Sequence, residues 1–171
     1  MTDQQMLSLR PATPADQAAV DGLLARSYPA LLAASYAPEL LSVALPRITR
    51  ARPELLACGT YWLALRGDRV VGAGGWTQND PSAKETDPEM GHIRHVATDP
   101  DCLRLGIARS LMQRVMDEAR AAGMQRLGCL STLTAVPFYQ AMGFAVLAAE
   151  DVQLPGGTLF PSVRMVCILS P

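Results

Sequence analysis

The sequence predicts a single mixed α/β domain over residues 1–171, built round one central sheet, and three observations predict it. Strand-like and helix-like segments alternate in the order β-α-α-β-β-β-α-β-α-β-β. Residues 104–122 carry a helical period, with Ala108, Leu111, Met112, Val115, Ala119 and Ala122 recurring at spacings of three and four. Gly67-Asp68 joins two strand-like runs as a tight hairpin.

Each element has a local cause. Leu7 and Leu9 alternate with Ser8 and Arg10, a short first strand. Thr13, Pro14 and Asp16 open a helix: a hydroxyl cap, a proline in the first turn and an acid near the positive end. Val20, Leu23, Leu24 and Leu31 continue its stripe. A second helix is expected over residues 38–50, interrupted at Pro46. Residues 61–65, 69–76, 92–98 and 126–130 read as strands, and the polar stretch 77–91 as a loop. The long helix should stop at Gly123. A short helix is expected over 134–142, ended by Gly143. Residues 144–154 and 163–169 should close the sheet as a hairpin round Pro155-Gly156-Gly157.

Bulk properties narrow the class. Fifteen basic and 16 acidic residues leave a net charge of −1 and no Lys/Arg run, which argues against nucleic acid as a partner. Cys58, Cys102, Cys129 and Cys167 are dispersed with no C-x-x-C pair, so no metal site is expected. The polar start has no signal-peptide character, and no apolar run nears the ~20 residues of a membrane span. The expectation is a cytoplasmic protein with reduced thiols and no membrane association.

An anionic ligand must therefore be caught locally, and residues 99–112 offer a device. A strand ends at Thr98, Asp99-Pro100 turn the chain, and a helix begins. Helix N-termini present unpaired N–H groups and partial positive charge. Gly106 and Ala108 let a phosphate approach the backbone, and Arg104 and Arg109 add charge. A plain strand-to-helix turn with a packing glycine reads the same residues equally well. Gly72-Ala73-Gly74-Gly75 is glycine-rich too, but no helix follows it, so a dinucleotide fingerprint fails.

HIRHVATDPDCLRLGIARSLM, residues 92–112, resembles the cofactor motif of the GCN5-related N-acetyltransferase (GNAT) superfamily. Phe138-Tyr139 followed by Gly143-Phe144 resembles that superfamily's second signature. The pairing of the two, with a strand between, carries the resemblance, and the element order matches over nearly the whole length. It implies a GNAT-like domain with a mixed, mostly antiparallel sheet flanked by helices. It also implies an acetyl-CoA-dependent N-acetyltransferase acting on a primary amine of a small molecule or peptide through a ternary complex, with acetyl-CoA as cosubstrate and no metal. The alternative is a non-catalytic acyl-CoA-binding or sensor module. The superfamily's C-terminal strands often pair across subunits, so the resemblance admits a homodimer.

The resemblance also assigns residues. The backbones of Val96, Ala97 and Thr98 would pair with the pantetheine arm as an added strand. The amides of Arg104, Leu105, Gly106, Ile107, Ala108 and Arg109 would hold the pyrophosphate. Leu103 stands where the motif carries Arg or Gln, and Arg104 where it carries glycine, so the backbone amides bear more of the work. Thr132 stands where a cofactor-touching Asn is usual. Tyr139 occupies the position of the acid that protonates the departing thiolate; its alternative is core packing beside Phe138. His92 occupies the position of the base that deprotonates the amine. Glu89, or water relayed to backbone carbonyls, are the alternatives. Regular strand alternation sets His92 and Arg94 on one face and His95 on the other, which excludes a two-histidine metal site. Tyr28, Tyr36, Trp76 and the 77–91 loop are the acceptor-side candidates, with core packing as the competing role for the aromatics.

Overall fold

The computed structural model describes residues 6–78, 80 and 85–169. Its elements run β1 (Leu7–Pro11), α1 (Gln17–Leu32), α2 (Pro38–Ile48), α3 (Pro53–Ala57), β2 (Tyr61–Arg66), β3 (Arg69–Thr77), β4 (Met90–Thr98), α4 (Ile107–Ala121), β5 (Arg126–Thr132), α5 (Val136–Ala141), β6 (Ala145–Gln153) and β7 (Leu159–Ile168). The seven strands form one sheet in the order β1-β2-β3-β4-β5-β7-β6. Every neighbouring pair is antiparallel except β4 and β5. The expected order is present with one addition. The five residues of α3 are too few to show a helical period in sequence.

Two apolar layers cover the sheet. On one face Leu111, Met112, Val115 and Ala119 of α4 pack on Val71, Leu127 and Met165. This approach explains the glycine-rich β3: a Cβ at Gly72 would lie 2.6 Å from Ile107 Cγ2 and 3.0 Å from Leu111 Cδ1. The run that fails as a nucleotide motif is a helix-packing surface. On the other face Val20, Leu23 and Leu24 of α1 cover Leu63, Val70 and Ala73. Tyr36, just past α1, stacks on Phe160 of β7 at 4.4 Å.

Several expectations need correction. Pro46 does not break α2, which continues to Ile48. Only the N–H bond that residue 46 would give Ser42 is lost, and it is lost near the end, where the Thr49 amide and hydroxyl both bond Leu45 O at 3.1 and 2.7 Å. The long helix begins at Ile107 and not at 104, because Arg104 (φ 60°) and Gly106 (φ 77°) are left-handed. β4 begins at Met90, inside the expected 77–91 loop, of which residues 79 and 81–84 lie outside the described residues. β7 begins at Leu159, four residues before the expected start.

Candidate active site

The parallel pair at the centre of the sheet is joined over three residues only: Met90 with Arg126, Gly91 with Leu127 and His92 with Gly128. Beyond His92, β4 stays on β3 as far as Thr98, and β5 stays on β7 as far as Thr132. The two strands therefore part and leave a wedge-shaped cleft, a cavity of about 300 Å3.

A bulge accompanies the parting. Ala73 faces Ala97 and Gly75 faces Arg94, so His95 and Val96 together oppose Gly74. A bulge bends and twists the strand that carries it. His95 takes φ 36°, and its displaced carbonyl accepts a 2.8 Å hydrogen bond from the hydroxyl of the buried Tyr61. The Asp99 amide bonds Val71 O, so strand alternation turns the Ala97 amide toward β3 and the amides of Val96 and Thr98 toward the cleft. Of the three expected backbone partners, Val96 and Thr98 are thus aimed at the gap and Ala97 is not.

The bulge also overturns the expectation that His95 points away from His92. His95 Nδ1 lies 3.4 Å from the Tyr28 hydroxyl on α1, and His92 Nδ1 sits 3.6 Å from where a Gly128 Cβ would project. Both histidines face the α1 side. They serve no common ion: His95 lines the cleft, whereas His92 lies beside Asp80, with Nδ1 3.9 Å from Oδ2. No metal-ligating cluster occurs among the described residues. Burial, helped by Arg94 and Arg52, pushes the His95 ring down to about 4, so it is neutral at neutral pH. Burial also lowers His92, with Asp80 opposing.

Tyr139 lies on α5, edge-on to Phe138 and Phe144 with centroids 5.3 Å apart. It is 6% exposed and lines the cleft. Its hydroxyl has no hydrogen-bond partner among the described residues, and burial raises its pKa well above that of a free phenol, so it is held as a proton donor. Core packing and access to the cleft are both true of this ring. Thr132 lines the same cleft at the end of β5, where its carbonyl accepts from Ser131 Oγ at 2.7 Å.

The loop over residues 99–106 sits at the open end of the wedge. Leu103, Arg104, Leu105, Gly106 and Arg109 are all exposed, with Ala108 half-buried and Ile107 in the core. A Cβ on Gly106 would meet no atom within 4 Å, so the space before the first turn of α4 is open. The loop is pinned at its root by Asp99. That fully buried carboxylate accepts from Arg69 Nη2 at 2.6 Å, Arg26 Nη2 at 3.3 Å and its own turn's Asp101 amide at 3.0 Å. Burial works against its ionisation, but the Asp101 amide and Arg69 prevail, and its pKa falls below the ordinary carboxylate value. The sequence signal for this anchor is Asp before Pro at a strand end, a turn former; its two arginines carry no such signal.

The other acceptor-side candidates separate. Tyr28 lines the cleft. Tyr36 is a strut: its hydroxyl donates to Pro161 O at 2.7 Å and accepts from the Leu133 amide at 2.8 Å, tying α1 to the chain after β5. Trp76 faces α4 on the opposite side of the sheet, where its indole and that of Trp62 both donate to Glu118 Oε2. Glu89 lies at the far end of β4, bonded to Gln125 Nε2 at 3.1 Å and outside the cleft. Strand alternation places Arg94 only on a face with His92; in the structure it lines the cavity.

Comparison with known proteins agrees with this geometry. Residues 26–144 match the model of the Acetyltransferase (GNAT) family. A Bacillus subtilis (strain 168) protein described as uncharacterized N-acetyltransferase YsnE is 32% identical over 91 residues, 50% of this chain and 55% of that one. The match thus spans about half the length of the curated relative. Among solved structures, the GCN5-related N-acetyltransferase (aminotransferase, class-II) of Rhodopseudomonas palustris superposes with a TM-score of 0.75 at 19% identity, covering 95% of each chain. PaiA N-acetyltransferase of Thermoplasma acidophilum, in complex with coenzyme A, gives 0.70 at 12% identity, covering 95% of this chain and 99% of that one. At these identities the likeness is one of fold.

Proposed function

Because the chain belongs to the acetyltransferase (GNAT) family, we propose that it transfers the acetyl group of acetyl-CoA to a primary amine of a small molecule or peptide, by direct attack in a ternary complex. The single observation that carries this reading is the parting of β4 from β5 after His92, which leaves a strand edge with free backbone groups beside an acid-bearing cleft.

The residues present fit the cosubstrate. Val96 and Thr98 offer N–H and C=O groups to an extended amide-bearing arm, as an edge strand does to a new strand. The amides following Arg104 and Gly106, at an unobstructed helix N-terminus, suit a pyrophosphate. Thr132 adds a hydroxyl near the same path. When bound, acetyl-CoA supplies the thioester whose carbonyl carbon the amine nitrogen attacks, with loss of the C–S bond.

The chain's own groups handle the protons. An alkylammonium of pKa ~10.4 is only about one part in a few thousand neutral at pH 7, so removing its proton matters. His92, uncharged at that pH, takes this proton, and Asp80 at 3.9 Å stabilises the imidazolium that forms. Tyr139 gives its phenolic proton to the departing sulfur, and the proton that the acylated nitrogen then sheds restores the phenol. Phe138, Phe144 and the cleft walls keep water away from that transfer.

Titrating coenzyme A while following thermal unfolding tests the binding half of the reading. A ligand at 100 times its Kd stabilises by about 2.7 kcal/mol, and no shift in Tm contradicts the assignment. A binding-only acyl-CoA module would show the shift yet release no thiol in the presence of any amine.

A further inference from the structure

We propose that the amine acceptor carries a carboxylate, bound by Arg94 inside the cleft, and an apolar side chain. The inference rests on the acetyltransferase reading and names the substrate class for that site.

The carrying observation is a half-buried guanidinium without a counter-ion. Arg94 lines the cavity, and one of its N–H groups donates to Thr77 Oγ1 at 3.3 Å. Among the described residues no carboxylate lies within 4.0 Å of it. Other half-buried arginines are treated differently: Arg164 is paired with Glu150, Arg126 with Asp87 and Arg120 with Asp117. Taking a cation out of water without a partner is costly. Burial, then repulsion from Arg52, lowers the Arg94 pKa, while Asp80 opposes from a distance. A guanidinium presents a planar fork of donors that matches the two oxygens of a carboxylate.

The surroundings agree in sign and shape. Among the described residues no Asp or Glu lines the cavity, and the formal charge they bring to it is the positive charge of Arg94. Asp80 is engaged instead with His92 and with Arg164 at 4.0 Å. A polycationic acceptor finds no anion in such a cleft. One wall is apolar, made by Ile48, Val152, Leu154 and Phe160, which pack in one cluster. Arg94 and His92 are two residues apart on one strand face, roughly 6–7 Å along the strand. An α-amino acid can place its carboxylate on Arg94 and its ammonium toward His92, with its side chain against that wall.

Matched acceptors test this. Thiol release from acetyl-CoA would be measured for L-phenylalanine, L-phenylalaninamide and 2-phenylethylamine, and for L-leucine, L-leucinamide and 3-methylbutylamine. Each series holds the side chain and removes the carboxylate. The carboxylate-bearing member should win by roughly 10- to 100-fold in kcat/KM. Arg94→Gln should bring that ratio close to one, and Arg94→Lys, which keeps the charge and loses the fork, should fall between. A coenzyme A-induced rise in Tm for both variants confirms that they fold and bind. The inference is overturned if wild type acetylates no carboxylate-bearing member, if it prefers the amide or the decarboxylated amine, or if Arg94→Gln keeps the ratio. Acetylation of the carboxylate-free amines at a kcat/KM equal to or above that of the carboxylate-bearing members sinks this inference alone. Absence of thiol release with every amine sinks the acetyltransferase reading with it.

Discussion

His92 of β4 faces Gly128 of β5, and that pair is the last rung of the only parallel ladder in the sheet among the described residues. Everything functional in the account follows from the ladder stopping there. The cleft opens beyond it, the bulge at His95 lies on its rim, and Tyr139 lines it from α5.

Tyr139→Phe should leave coenzyme A binding intact and lower acetyl transfer by roughly 100- to 10,000-fold. The ring keeps its contacts with Phe138 and Phe144, so folding is preserved. Thiol release beside a coenzyme A melting shift separates the two effects, and unchanged turnover removes Tyr139 from the mechanism.

His92→Gln should abolish the acid limb of the kcat profile. Burial lowers the pKa of His92, so its neutral, proton-accepting form persists below the ordinary histidine value of about 6.5 and is lost as pH falls further. Wild-type kcat should therefore climb with pH through that region. The variant should be at least about tenfold slower at pH 7.5 and lack the climb. An identical profile in the variant assigns the proton to water.

Gly106 sits at φ 77° with open space where a side chain would go. Gly106→Ala should cost about 1 kcal/mol through backbone strain alone. If the loop relaxes toward negative φ, the amides of 107–109 are re-aimed and the KM for acetyl-CoA rises, by about fivefold per kcal/mol. Gly106→Asn, which tolerates the left-handed region better, should be milder on both counts. Steady-state kinetics with acetyl-CoA as the varied substrate reads the difference.

Much of this was legible in the sequence, and the part that was not has a common cause. Elements with a long period, such as α4, or with a turn signature, such as Gly67-Asp68, could be placed from local pattern. The His95 bulge could not, because its stabilising partner, the Tyr61 hydroxyl, comes from 34 positions away. Trp76 and Tyr36 are both acceptor-side candidates with core packing as the competing role. Register put the first under α4 and loop closure made the second a strut. Arg94 carries its meaning only through what fails to surround it, a property no spacing encodes.

Asp99→Asn should loosen the root of the loop over residues 99–106. Removing the charge leaves Arg69 and Arg26 without their common anion, and the variant should unfold at lower urea than wild type at pH 7. The sign with pH follows from the lowered pKa of Asp99. Its contribution is complete above the ordinary carboxylate value of about 3.9 and is lost as pH falls below it. Urea unfolding of both proteins at pH 7 and pH 3 should show a gap at pH 7 that narrows at pH 3; a gap independent of pH contradicts the ionised anchor.

The most direct test of the whole account joins thiol release to mass spectrometry of the amine, with purified protein, acetyl-CoA and the phenylalanine and leucine series. An acetyltransferase releases one thiol for each amine that gains one acetyl group, and neither product forms without the protein. Coenzyme A that leaves Tm unmoved, together with no acetylated amine and no thiol, would contradict that activity.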